Sequence, residues 1–224
     1  MRVSEVGMFK RKVYEEILAW KKQSDGSTAL LVEGARRVGK STVVEEFAKS
    51  EYRTYIRIDF AEAPLDVRRL FDDVSDLDYL FLQLQLRYQQ QLFERESLII
   101  FDEVQLCPLA RQAIKALVKD GRYDYIETGS LISIRKNTAG ILIPSEEQRV
   151  QMRPMDFEEF RWACGDESTV PLLQSAFATG IKLGDDLNRK LMRVFRLYMS
   201  EIAYKWPDSQ GLCPGITAGN SPVC

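Results

Sequence analysis

Gly34-Ala35-Arg36-Arg37-Val38-Gly39-Lys40-Ser41 is the stretch that decides the fold of this 224-residue chain. It matches the phosphate-binding pattern of a glycine, any four residues, and then Gly-Lys followed by Ser or Thr. The two glycines allow a loop to fold back so that its backbone N–H groups point at phosphate oxygens. Lys40 adds a positive charge, and the Ser41 hydroxyl is placed to bind Mg²⁺. The stretch therefore predicts a site for the phosphates of a nucleotide.

The residues on either side of this loop agree with that prediction. Ala29 to Val32 is a short apolar run typical of a buried parallel strand, and Thr42 to Lys49 has helical spacing. A helix that begins near Gly39 directs the positive end of its dipole at the same anion. We therefore predict that residues Gly34 to Thr42 bind the nucleotide. The alternative is a chance match in an ordinary glycine-containing turn.

Two carboxylates, Asp102 and Glu103, follow the apolar run Leu98 to Phe101, which predicts a buried central strand. The carboxyl end of that strand is where the phosphates are expected. We predict that Asp102 holds Mg²⁺ together with Ser41, and that Glu103 is the base that polarises a water for attack on the γ-phosphoryl group. The alternative is that both carboxylates begin a solvated loop.

Two hydroxyl groups, in Thr128-Gly129-Ser130, follow the next predicted strand and lie near the same rim of the sheet. A polar side chain there could sense the γ-phosphate or orient the attacking water. We predict Ser130 for this role. Ordinary turn chemistry is the competing explanation for a Gly-Ser pair after a strand.

Helical and strand patterns alternate along the chain, which predicts an α/β fold with a mostly parallel central sheet and helices on both faces. The strand pattern near residues 52–60 is that of a sheet edge. Asp156 to Glu159 fits a capping box, with Met155 and Phe160 spaced to staple across it. We predict helices near 9–22, 42–49, 65–71, 78–94, 109–120 and 187–203, and strands near 29–32, 52–60, 97–101, 123–128 and 148–155.

The composition limits the classes of function. A formal net charge of −2 and a sequence pI near 5.5 give no support to DNA binding, although a local basic face stays open. The absence of histidine and the lack of CxxC spacing among four cysteines argue against a zinc site or a Cys-His hydrolase. The sequence shows neither a signal peptide nor the run of about eighteen apolar residues that a transmembrane helix needs. We therefore expect a cytoplasmic protein without a membrane partner.

With both motifs in place, the chain resembles a prokaryotic AAA-superfamily ATPase, and more narrowly the stand-alone group whose longer members carry a C-terminal domain of unknown function. This resemblance implies ATP and Mg²⁺ as cofactors, and hydrolysis coupled to an unknown protein client. It also implies that the strand carrying Asp102 lies directly beside the strand that precedes the loop. The resemblance rests on Gly34 to Thr42, Ile99 to Gln105, Thr128 to Ser130 and Arg153 to Phe160.

The chain departs from this group in two places. Where relatives often carry Gly-Arg, a potential arginine finger, this sequence has Ser145 to Arg149, so Arg149 is the substitute candidate. Beyond Met199 it does not continue as relatives do, which fits a truncated or frame-shifted product. We expect an AAA-type ATP-binding domain over 1–165, a helical segment that begins a truncated second region over 166–204, and a disordered tail over 205–224.

Three functions are compatible with these features. The first is an ATPase that uses Glu103 for hydrolysis. The second is a nucleotide-dependent interaction module that binds ATP with negligible turnover. The third, a small-molecule kinase, is weakened by the adjacent Asp102-Glu103 pair and by the lack of an arginine-rich lid. Assembly into a homo-oligomer stays open.

Overall fold

The computed structural model describes residues 10–130 and 146–204 of the chain, with side chains to residue 200. This part divides into two compact units, residues 12–153 and residues 10–11 with 154–204. The predicted tail and the N-terminal residues up to Phe9 lie outside the described residues. The predicted domain boundaries at 165 and 204 stay predictions.

A five-stranded sheet in which every pair of neighbours is parallel forms the centre of the larger unit. The spatial order is β2-β3-β4-β1-β5. The predicted α/β class, the parallel sheet and the edge position of β2 are thereby confirmed. The strands are β1 (Ala29–Gly34), β2 (Thr54–Asp59), β3 (Ser97–Asp102), β4 (Asp124–Ser130) and β5 (Glu147–Met152).

Successive side chains of a strand point to opposite faces of the sheet, so each face presents apolar side chains that need cover. Helices cover both faces. On one face, Leu31, Phe101 and Tyr125 share a buried cluster with side chains of three helices. These are α3 (Leu65–Arg69), α4 (Leu77–Tyr88) and α5 (Pro108–Asp120). The other face is covered by α2 (Lys40–Glu51), which begins directly after the phosphate loop and contacts β1, β2, β3 and β4. A further helix, α1 (Lys12–Ser24), precedes β1.

The position of β3 corrects one expectation. The resemblance implied that the strand carrying Asp102 lies beside β1, but β4 lies between the two strands and pairs with both through Ile126. All seven residues of β4 are buried, and so are all six residues of β3, so both strands belong in the interior of the sheet. Local sequence patterns do not decide which of the two lies beside β1. The strand β5 has exposed residues and takes the edge.

Two elements end earlier than their patterns predict. The helix α4 was predicted to reach residue 94, but it ends at Tyr88 because Gln89 adopts a left-handed conformation with φ 50°. Leu92 is still buried at 7% exposure, and its backbone N–H is bonded to the side chain of Gln85 at 2.9 Å. The strand β5 ends at Met152 rather than near residue 155.

The smaller unit contains three helices, and an aromatic cluster of Phe157, Phe160, Phe195 and Tyr198 joins the first helix to the third. The predicted capping box is confirmed, because Asp156 and Glu159 each bond the other's backbone N–H at the start of the first helix. Glu159 is also paired with Arg11 at 3.2 Å, and both side chains are buried. The helix predicted near 187–203 is confirmed, and a further helix precedes it. The three are α6 (Phe157–Ala163), α7 (Thr169–Thr179) and α8 (Asp185–Tyr204).

Candidate functional site

The loop after β1 has the backbone that the sequence pattern requires, but its two glycines serve different purposes. Gly39 has φ 89° and caps α2, which begins at Lys40. A left-handed conformation of this kind favours glycine. Gly34 is required for packing instead, because a Cβ atom there would lie 2.2 Å from the backbone oxygen of Met152 in β5. Between the glycines, Ala35, Arg36 and Arg37 are exposed and Val38 is buried, and Thr42 is exposed in the first turn of α2.

The Lys40 ammonium lies inside this loop. Its side chain is buried, and Nζ donates to the backbone oxygens of Ala35 at 2.8 Å and Gly34 at 3.2 Å. Burial lowers the pKa of Lys40, while the charges of Glu103 and Asp102 act in the opposite direction. Attraction to an anion is stronger in such a site than in water, because the surroundings screen charge less.

Asp102 is the centre of the polar network at the end of β3. Only 1% of Asp102 is exposed, and both carboxylate oxygens accept hydrogen bonds. Oδ1 accepts from the Ser41 hydroxyl at 2.8 Å and from the Thr128 hydroxyl. Oδ2 accepts from Arg57, through Nε at 2.9 Å and through Nη2. The structure therefore brings together the two residues predicted to hold Mg²⁺.

The pair of Ser41 and Asp102 suits Mg²⁺ chemically. Mg²⁺ prefers oxygen ligands and is usually bound by one or two carboxylates together with substrate phosphates. Here the hydroxyl oxygen of Ser41 and a carboxylate oxygen of Asp102 lie 2.8 Å apart, and Ser41 directly follows the buried Lys40 in the sequence. The residues present thus fit a cation that is shared between the protein and a bound phosphate chain.

Glu103 has an unusual backbone for a residue other than glycine. Its φ of 53° and ψ of 45° are left-handed, a conformation that costs free energy and is concentrated at functional sites. The conformation is held by a hydrogen bond of 3.2 Å from the Glu103 N–H to the Thr128 hydroxyl. The Glu103 carboxylate accepts a hydrogen bond from the side-chain amide of Gln105.

Of the two hydroxyls at the end of β4, the one that contacts Asp102 belongs to Thr128 rather than to Ser130. Ser130 is buried at the end of β4 and lies level with Gly34, the first residue of the loop. The candidate finger Arg149 is paired with Glu147 at 2.8 Å in β5.

Arg57 was absent from the sequence prediction of the site. The only signal was its place among the partly exposed residues of β2, between Tyr55 and Asp59. The alternation of partly exposed and buried residues in β2 indicates that the Arg57 side chain lies on the face of the sheet covered by α2. It does not predict that Arg57 contacts Asp102.

The fold and this site together define a P-loop nucleotide-binding domain of the ATPase class. The chain belongs to the AAA domain family, whose sequence profile matches residues 26–161, more than half of the chain.

Two solved structures show a more distant likeness. The Walker-type ATPase PABY2304 of Pyrococcus abyssi is 17% identical, with 88% of this chain and 74% of that chain covered and a TM-score of 0.43. PCH-2 of C. elegans is 12% identical, with 70% and 45% covered and a TM-score of 0.38. No curated protein sequence matches the chain. Within the described residues, every helix is too short or too polar to cross a membrane.

Proposed function

We propose that this chain binds Mg²⁺-ATP through residues 34–42 and hydrolyses it to ADP and phosphate, in the service of an unknown protein client. One observation carries the proposal. The Ser41 hydroxyl donates to Asp102 at 2.8 Å, so the phosphate loop and the acidic end of β3 form one site. Lys40, buried beside them, supplies the positive charge that a nucleotide phosphate needs.

Each residue has a distinct role in this proposal. Lys40 and the backbone N–H groups of the loop hold the phosphates, while Ser41 and Asp102 hold the cation. Bound Mg²⁺ neutralises charge that develops on the phosphate oxygens. Glu103 takes the proton of the attacking water, and Ser130, at the end of β4, orients that water or contacts the γ-phosphate. Arg149 is the candidate finger of a neighbouring copy if the protein forms a homo-oligomer.

A second candidate function is a nucleotide-dependent interaction module with negligible turnover. The contact between Gln105 and Glu103 favours it, because a carboxylate that accepts a bond from an amide is less available to a water. For hydrolysis, the Glu103 side chain must exchange this amide for the water. Overall charge gives DNA no support as a partner, and the cytoplasmic location stays a prediction.

ATP binding tests the proposal, with Lys40→Ala as the variant. Removing the ammonium should weaken binding by about 2–4 kcal/mol, roughly 30- to 700-fold in Kd, because a charged hydrogen-bonding group is lost from a buried site. Isothermal titration calorimetry measures the change. The matched control is Lys49→Ala, which removes an exposed lysine from the other end of α2 and should leave Kd unchanged. Equal ATP affinity in folded Lys40→Ala and wild type would refute the assignment of the loop.

A further inference from the structure

Arg57 makes a contact with the candidate Mg²⁺ site that the roles above do not use. It is two residues before the end of β2, and its side chain is one-third exposed. Nε and Nη2 both donate to Asp102 Oδ2, while Nη1 donates to Glu45 Oε2 at 3.2 Å. Nη2 also lies 3.5 Å from Asp59 Oδ2. One guanidinium therefore meets three carboxylates.

The two oxygens of Asp102 have separate sets of partners. Oδ1 accepts from the hydroxyls of Ser41 and Thr128, and Oδ2 accepts from the Arg57 guanidinium. The planar guanidinium presents its N–H groups in a fixed geometry, so its contact selects one rotation of the carboxylate plane. Arg57 thereby fixes Asp102 with Oδ1 toward the phosphate loop.

We propose that Arg57 is a positioning residue of the Mg²⁺ site, which holds Asp102 in the orientation that binds the cation. The inference rests on the proposed function, because it concerns the cation that accompanies ATP. Two effects of Arg57 oppose each other. Its charge repels a nearby cation, whereas its hydrogen bonds orient the carboxylate. Orientation dominates here, because Glu45 and Asp59 already balance the charge of Arg57.

Removing Arg57 should weaken Mg²⁺ binding if Arg57 mainly orients Asp102, and strengthen it if Arg57 mainly repels the cation. In Arg57→Met the side chain keeps a similar length but loses every donor, so Asp102 loses its fixed orientation. Loss of an outer partner of a metal ligand typically costs about 10- to 100-fold in metal affinity. We therefore expect the gain in ATP affinity that Mg²⁺ produces to fall by about 10- to 100-fold. ATP affinity in excess EDTA should stay within about 2-fold of wild type, because Lys40 and the loop are unchanged.

The experiment measures ATP affinity by calorimetry in saturating Mg²⁺ and in excess EDTA, and compares the ratio of the two. Arg57→Lys tests orientation apart from charge, since one ammonium cannot reproduce the paired N–H donors, and it should restore only part of the ratio. If Arg57→Met does not fold, the ratio measured for Arg57→Lys tests whether Arg57 orients Asp102. The matched control is Arg53→Met, which removes an exposed arginine paired with Glu96 and should keep the wild-type ratio.

The outcomes are distinct. A wild-type ratio in Arg57→Met, or in Arg57→Lys where only that variant folds, overturns the proposal, because the contact is then structural only. A raised ratio also overturns it, since Arg57 would then oppose the cation through its charge. Wild-type protein that binds no ATP in either buffer refutes the proposed function itself, and this inference with it.

Discussion

Replacing Thr128 by valine tests the network that joins β4 to the acidic end of β3. Thr128 is fully buried, and its hydroxyl both donates to Asp102 and accepts from the Glu103 N–H at 3.2 Å. Valine keeps the branched shape of the side chain but makes neither bond. Asp102 keeps its bonds to Ser41 and Arg57, so the carboxylate stays paired.

The expected loss follows from these two bonds. A hydrogen bond to a charged group contributes about 1.5–3 kcal/mol, and an N–H left without a partner adds about 1 kcal/mol or more. We therefore expect Thr128→Val to lower the free energy of unfolding by about 2.5–4 kcal/mol. Urea unfolding, followed by circular dichroism, measures the difference. ATP hydrolysis should fall as well, because the backbone of Glu103 loses the bond that holds its left-handed conformation.

A matched control separates this network from the general cost of a threonine-to-valine change. Thr54, at the opposite end of the sheet, shares a hydrogen bond of 2.7 Å with Ser97, and both groups are neutral. Thr54→Val should cost only about 0.5–1.5 kcal/mol. If Thr128→Val costs no more than Thr54→Val, the bond to Asp102 contributes nothing special and the reasoning about the network is wrong.

Two further predictions concern the carboxyl groups of Glu103 and Glu127. Glu103→Gln keeps the size of the side chain but removes its basicity, so ATP hydrolysis should fall about 100-fold or more while ATP affinity changes little. Equal turnover in Glu103→Gln and wild type would place the base elsewhere. Burial and the neighbouring Glu147 raise the pKa of Glu127 well above its ordinary value. The folded protein then holds a proton that the unfolded chain loses at about pH 4.3, so wild-type stability falls as pH rises above that value. The side chain in Glu127→Gln is neutral at every pH in this range. Between about pH 5 and about pH 8, the free energy of unfolding of this variant should therefore rise by about 1 kcal/mol or more relative to that of wild type. Urea unfolding at both pH values tests this, and a constant difference would contradict it.

The sequence predicts the phosphate loop and its flanking elements because each depends on residues close together in the chain. The apolar run before Gly34, the glycine at position 39 and the helical spacing after Lys40 are all local, and the structure confirms the strand, loop and helix. The end of α4 is harder to predict. Leu92 is a core residue, so the apolar spacing continues past the helix although the chain is no longer helical.

Local sequence patterns do not predict contacts between residues that are far apart in the chain. The partners of Asp102 come from three other elements, with Ser41, Arg57 and Thr128 separated from it by 61, 45 and 26 residues. The sequence shows that each of these residues is polar and close to the end of a strand or helix. It does not show which strands are neighbours, and the expectation that β3 lies beside β1 was wrong for that reason.

The register between β3 and β4 explains why Thr128 rather than Ser130 contacts Asp102. The two hydroxyls lie on the same face of β4, because residues two apart in a strand point to the same side. Phe101 pairs with Glu127, which places Asp102 level with Thr128. Ser130 is two residues further on, about 6–7 Å beyond the end of β3, and is level with Gly34. Ser130 therefore lies beside the first residue of the phosphate loop, a position compatible with the role proposed for it.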